Sequence, residues 1–213
     1  MQKLALVALM LGNFATALAV LGPTGMLADL ASGLNVSIAH AGLLITTGAA
    51  TLCFASPLMA WWASTVDRRT LLAAVLLVVA AGHFVSAAAP DYASLMILRV
   101  LTLIAAAVFT PQAAGTAAMI VSAENRPSAI AFIFLGWSLA VAGGLPLIGL
   151  VAGAADWRIA YVSIGALSLA VAALVWFTVP GKLRGTPVSL STWRMLARHR
   201  LVLLLLAVTA VQT

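Results

Sequence analysis

Six long apolar runs, over residues 4–26, 40–63, 71–89, 93–121, 129–155 and 159–179, are separated by short polar connections. Each is long enough, at roughly 20 residues, for an α-helix to cross about 30 Å of hydrocarbon, so the pattern predicts six membrane spans. A seventh run, 201–213, has thirteen residues. At about 1.5 Å per residue it would cover roughly two thirds of that thickness. It is expected either to begin a seventh span of a longer protein, or to lie at the interface or against a partner. The chain thus divides into a six-helix transmembrane bundle at 1–179, a basic linker at 180–200 and the start of a seventh helix at 201–213.

Charge sets the expected orientation. Of eleven Lys and Arg residues, nine occupy alternate gaps: Lys3, Arg68, Arg69, Arg126, Lys182, Arg184, Arg194, Arg198 and Arg200. The opposite gaps hold Asp29, Asp91 and Asp156 with a single cation, Arg158. Basic connections stay on the cytoplasmic side. The chain is therefore expected to be a multi-pass protein of the plasma (cell inner) membrane, with its N-terminus in the cytoplasm.

Composition excludes the soluble alternatives. With 64% hydrophobic and 8% charged residues and a mean hydropathy of +1.15, the lipid bilayer is the expected solvent for most side chains. The net charge of +6 follows from the topogenic cations, so nucleic acid is not an expected partner. The first run is too long, and lacks the small-residue cleavage site, for a removable signal peptide. The single cysteine, Cys53, lies within the second run, where it reads as a packing residue with no disulfide or metal partner.

A repeat runs through the punctuation. Pro23 and Pro111 are 88 residues apart, Pro57 and Pro146 are 89 apart, and Asp67 and Arg69 recur 89 residues later as Asp156 and Arg158. Both Asp/Arg pairs are expected to close the second helix of their triplet. Because three is odd, two such triplets have opposite orientations, the 3+3 inverted repeat of secondary transporters. The fold class is accordingly an all-α membrane protein. Prolines inside spans leave a backbone carbonyl without its N–H partner, which neighbouring helices or water must satisfy. They are read either as packing kinks or as curvature round a central cavity.

Candidate chemistry lies along helical faces. Arg99 sits about eight residues into the fourth helix if Asp91 is its N-cap, and an intramembrane Arg costs about 2.5–3.5 kcal/mol, so it is expected to face a cavity or partner unless it snorkels outward. Thr102, Ala106, Thr110 and Ala113 continue its face. Asn13, Thr16, Val20 and Thr24 form a similar stripe on the first helix, and Thr47 and Thr51 stand one turn apart on the second. These hydroxyls either line a polar path or bond their own backbone. Gln112 either faces that path or satisfies the carbonyl freed by Pro111. In the fifth helix Gly136, Ala140 and Gly144, followed by Gly149 and Gly153, have the spacing that lets helix backbones approach closely. His83, with Ser86 one turn away, reads as a hydrogen-bonded structural histidine or as a group titrating near neutral pH. The five acidic residues, Asp29, Asp67, Asp91, Glu124 and Asp156, all fall at run ends or in connections. A zinc-protease motif, a glycine-rich phosphate loop and a plausible Ser/His pair at helical depth are absent from the sequence, so no enzyme, cofactor or metal is expected.

Three segments carry a family resemblance: SPLMAWWASTVDRRTLL at the end of helix two, LRVLTLIAAAVFTPQAA in helix four, and AENRPSAIAFIFLGWSLAVAGGLPL leading through helix five into DWRIAY. The chain resembles the N-terminal half of a major facilitator superfamily transporter, most like twelve-span drug and sugar efflux permeases. The resemblance implies that Arg99 is the helix-four arginine of substrate or coupling interactions. It also implies that Gly144 and Pro146 are the antiporter-motif residues of helix five, and that Asp67, Arg68 and Arg69 form the gating motif after helix two. The sequence departs from that family at three places: in the loop motif Ala60 and Asp67 stand in place of the glycines and Ser64 in place of the aspartate, Val20 stands in place of a helix-one acid, and Leu103 in place of a helix-four glycine.

The expected function is secondary-active export of a small organic solute, such as a drug or sugar, by alternating access, with the missing C-terminal bundle closing the cavity. Substrate contacts are expected from Asn13, Thr16, Thr24, Thr47, Thr51, Arg99, Thr102, Thr110 and Gln112. The alternative is a non-transporting membrane fragment that acts by assembly or dimerisation.

Overall fold

The computed structural model describes residues 2–185. Helices occupy Gln2–Gly25 (α1), Leu27–Gly33 (α2), Ile38–Ala63 (α3), Arg68–Ala87 (α4), Tyr92–Ala106 (α5), Phe109–Ile120 (α6), Arg126–Leu139 (α7), Leu145–Ala154 (α8) and Trp157–Thr178 (α9). They make six helical rods of membrane-spanning length and hydropathy, within a few residues of the apolar runs: α1, α3, α4, Tyr92–Ile120, Ala123–Ala154 and α9. Among the described residues there is no strand. Of the expected linker, 186–200 lies outside the described residues, as does the expected seventh span at 201–213.

Boundaries follow local chemistry. Four helices begin at a side chain that accepts from a backbone N–H of the first turn: Ser37 from His40 at 3.1 Å, Asp67 from Thr70 at 3.2 Å, Asp91 from Ser94 at 2.8 Å and Asp156 from Arg158 at 2.7 Å. The Ser94 N–H holds the exposed Asp91 carboxyl below its usual range. Asp67 and Asp156 thus start the third helix of each triplet, which refines the expectation that they close the second. Both following arginines stack on indoles, Arg69 4.7 Å from the Trp176 ring and Arg158 4.2 Å from that of Trp157.

The prolines have different outcomes. Pro111 lacks the N–H that Ala107 would receive, and the fourth span breaks at Ala107 and Val108, between α5 and α6. In the fifth span a π-helical turn, Ala140–Gly144, with the Leu145 N–H donating to the Ala140 carbonyl, immediately precedes Pro146. Pro23 leaves α1 continuous.

α1 is the hub of the bundle. Ala5, Ala8, Ala15, Ala17 and Ala19 are fully buried, and these small side chains let α1 pack against α3 and α4, against both parts of the fourth and fifth spans, and against α9. The small-residue stripe of the fifth span is spent on this contact. A Cβ on Gly136 would collide with the backbone of Met10 and Phe14, and one on Gly144 would lie 2.7 Å from Leu18. By contrast Phe54, Leu58, Leu150 and Phe177 are exposed on the outside of the bundle, as side chains solvated by lipid are.

Packing obeys the repeat. Exchanging the first triplet for the second maps the contact of the first span with the fifth onto that of the fourth with the second. It also maps the first with the sixth onto the fourth with the third, and leaves the pairs three–six and one–four unchanged; all these contacts are present.

Candidate functional site

Two polar hydrogen bonds between spans sit at equivalent places in the repeats. Arg99 of α5 donates from Nε to the Leu44 carbonyl of α3 at 2.7 Å. Asn13 of α1 donates from Nδ2 to the Ile133 carbonyl of α7 at 2.9 Å. Leu44 and Ile133 are 89 residues apart, so in each case the first helix of one triplet bonds the second helix of the other at the same level. Gly48 and Gly136 mark the same crossings. A Cβ on Gly48 would lie 2.8 Å from Arg99 and 3.0 Å from Leu103, and these residues stand 89 positions after Met10 and Phe14, which abut Gly136.

Arg99 is 4% exposed. Its Nη2 donates to the Val20 carbonyl at 2.6 Å and its Nη1 to the Ala19 carbonyl at 3.3 Å. Ala19 is the residue whose helical partner would be position 23, where proline has no N–H. The guanidinium of the fourth span therefore satisfies the carbonyl freed in the first while also tying in the second. Of the two expectations for Arg99, a cavity or a partner, the geometry has the second: its bonds go to backbone carbonyls inside the bundle. It shares a void of about 10 Å³ with His83, Ser86, Thr102 and Tyr161. His83 bonds through Nδ1 to the Val79 carbonyl at 2.8 Å, and its ring lies 5.4 Å from that of Tyr161, the structural role considered for it.

A separate cavity of about 370 Å³ lies where four spans meet. α1 contributes Thr16 and Val20, α3 Leu52 and Ser56, the fourth span Ala106, Ala107, Thr110 and Pro111, and α7 Phe134 and Trp137. The third and sixth spans supply none of the lining. The stripes expected on the first and fourth spans thus meet here in part, through Thr16, Val20, Ala106 and Thr110. The donors of all three hydroxyls are already used, Thr16 to the Gly12 carbonyl at 2.8 Å, Ser56 to Leu52 at 2.6 Å and Thr110 to Asn13 Oδ1 at 2.7 Å.

The other expected contacts lie elsewhere. Thr24 is exposed and outside the lining. Thr51 bonds the Thr47 carbonyl at 2.8 Å, Thr102 bonds Leu98 at 2.7 Å, and none of Thr47, Thr51 and Thr102 lines the cavity. Asn13 supports it from behind by holding Thr110. Gln112 is outside the lining, and its Oε1 accepts from Arg68 Nη1. Ser56, Phe134 and Trp137 were missed. Leu52 and Ser56 are one turn apart, as are Phe134 and Trp137, and both pairs read as apolar helix face until the neighbouring spans are in place.

The end of the bundle that carries the N-terminus holds the residues expected to gate. Buried Arg68 donates from Nη1 to Gln112, and its backbone N–H donates to the Leu183 carbonyl at 2.8 Å. Asp67 caps α4, and with Arg69, Thr70, Lys182 and Arg184 it borders a cavity of about 690 Å³. Gly144 is buried against α1 and Pro146 is exposed just past the π turn.

A six-span helical bundle of paired inverted triplets, with a cavity between its first, second, fourth and fifth spans, has the architecture of one half of a secondary transporter. The Major Facilitator Superfamily family model matches residues 9–213, and the chain belongs to that family. It is 32% identical over 175 residues to the inner membrane transport protein YdhP of Escherichia coli K12, covering 82% of this chain and 45% of that protein. It is 31% identical over 156 residues to a chloramphenicol resistance protein of Streptomyces lividans, covering 73% of this chain and 40% of that one. Identity to a probable sugar efflux transporter of Helicobacter pylori is 26% over 192 residues, covering 87% and 49%. The chain spans about half the length of the curated relatives it matches. It is a multi-pass membrane protein of a transporter family.

Proposed function

We propose that this chain is the N-terminal half of an efflux transporter of the inner membrane, with its N-terminus in the cytoplasm. It acts without enzymatic chemistry, exporting a small organic solute by alternating access. The observation that carries this reading is the cavity at the meeting of the first, second, fourth and fifth spans. Rocking of this bundle against a second one would expose the cavity to each side in turn. The efflux and resistance functions in the relatives' names support the direction. In this reading Arg99 braces three cavity-forming spans, and the Arg68–Gln112 contact ties the cytoplasmic end of the fourth span to the connection between the second and third.

The test uses the full-length native gene product in sealed vesicles of known orientation. Cys53 is first replaced by Ser, because it is exposed, and Phe134 is then changed to Cys. Labelling by a membrane-impermeant thiol reagent is expected from both sides, with a ratio that changes when a transported solute is added. Labelling from one side alone under every condition would overturn alternating access at this cavity.

A further inference from the structure

The cavity's hydrogen-bonding chemistry is one-sided. Its hydroxyl oxygens, on Thr16, Ser56 and Thr110, have given their protons to protein acceptors, which leaves lone pairs as what they can offer a solute. The remaining side-chain donor type in the lining is the indole N–H of Trp137, and the lining contains no charged residue. Phe134 is 48% exposed and stands one helical turn from Trp137, so two aromatic faces border the space. The volume, about 370 Å³, falls in the range of about 300–1,000 Å³ usual for small-molecule pockets.

Solute classes fare differently against such a wall. A sugar carries donors and acceptors all round its ring, and each group removed from water without a partner weakens binding. Three acceptors and one donor leave most of a sugar's hydroxyls unmatched. A carboxylate or phosphate needs cations or several convergent donors; neither buried arginine is in the lining, Arg99 having one N–H on each of the Leu44, Ala19 and Val20 carbonyls and Arg68 donating to Gln112. A cation without a carboxylate opposite it would have aromatic faces alone. An uncharged aromatic solute with a hydroxyl or amide N–H matches all three features: rings for Phe134 and Trp137, donors for the spent hydroxyls, and freedom from charge.

We infer that this cavity takes uncharged aromatic solutes that present hydrogen-bond donors, and rejects sugars and organic anions. The inference rests on the transporter reading above and narrows it to a substrate class. In it Trp137 is the principal contact and Ser56 a donor-reading one.

Equilibrium dialysis with the full-length native gene product in lipid nanodiscs tests this with four probes: 2-(2-naphthyl)ethanol, its O-methyl ether, 2-naphthylacetate and maltose. The alcohol is expected to bind, and the ether to bind about fivefold more weakly because its donor is gone. The acid and the sugar are expected not to compete. Trp137→Ala should weaken the alcohol about tenfold or more. Ser56→Ala, whose hydroxyl bonds only its own helix within the protein, should erase most of the difference between alcohol and ether while folding normally. Tighter binding of maltose or the acid than of the alcohol, equal binding of alcohol and ether, or wild-type affinity in folded Trp137→Ala would each overturn the inference. A protein that passes the two-sided labelling test but fails here remains a transporter of another solute class; one that fails both loses the transporter reading as well.

Discussion

The tie between Arg99 and the first span is the most consequential single contact. Ala19 has lost its helical partner to Pro23, and Arg99 supplies the replacement. An unbonded carbonyl at this depth costs about 1–3 kcal/mol, while the cost of keeping an Arg in the membrane applies equally to the inserted but unpacked chain. Arg99→Met is therefore expected to destabilise the bundle by about 2 kcal/mol or more. In a Pro23→Ala background, where Ala19 regains a backbone donor, the loss should be smaller by about 1 kcal/mol. Thermal denaturation of the four proteins of this double-mutant cycle in detergent measures the coupling, and additive losses would show that Arg99 does not serve the proline. Sequence placed Arg99 at the right depth and named it as a group needing partners. It did not reveal those partners as backbone carbonyls, because carbonyls belong to every residue and carry no signature.

For the elements, close approach between α1 and the fifth span decides the geometry of the bundle. A side chain at Gly136 would run into the backbone of Met10 and Phe14, which cannot rotate away as a side chain can. Gly136→Leu should separate the two helices and cost about 3 kcal/mol. Gly143→Leu, in the same span but with nothing within 4 Å of its Cβ, should change stability by about 0.5 kcal/mol or less. Resistance to protease in micelles against rising denaturant compares them. The spacing of small residues announced a contact, but which span would fill it depended on the fold. The breaks at Ala107 and at the π turn Ala140–Gly144 follow from Pro111 and Pro146, whereas continuity of α1 through Pro23 required a donor from 79 and 80 residues away in sequence.

In the whole molecule, the two triplets are interleaved. The first span packs on the fifth, the second on the fourth and the third on the sixth, so most of the helix–helix packing lies between triplets. Residues 2–89 expressed alone are expected to insert without forming a protease-resistant bundle, and co-expression with the remainder of the chain from residue 90 should restore it. A resistant core from the first triplet by itself would contradict this.

Number and length of spans, their expected sidedness and the repeat were determined by the sequence itself, because each depends on local quantities: apolar length against membrane thickness, cations in alternate loops, and prolines and aspartates at a fixed offset. The cap at Asp91 belongs to the same class, since a side chain and a first-turn N–H are neighbours in the chain. The cavity was decided by tertiary structure alone. Whether Thr16, Ser56 and Thr110 face one another, and whether Thr47, Thr51 and Thr102 turn elsewhere, depends on how six helices rotate about their axes. Nearly uniform apolarity leaves that rotation almost unmarked along the chain, and it is set instead where small residues admit a neighbour and where Arg99 and Asn13 find carbonyls on other spans.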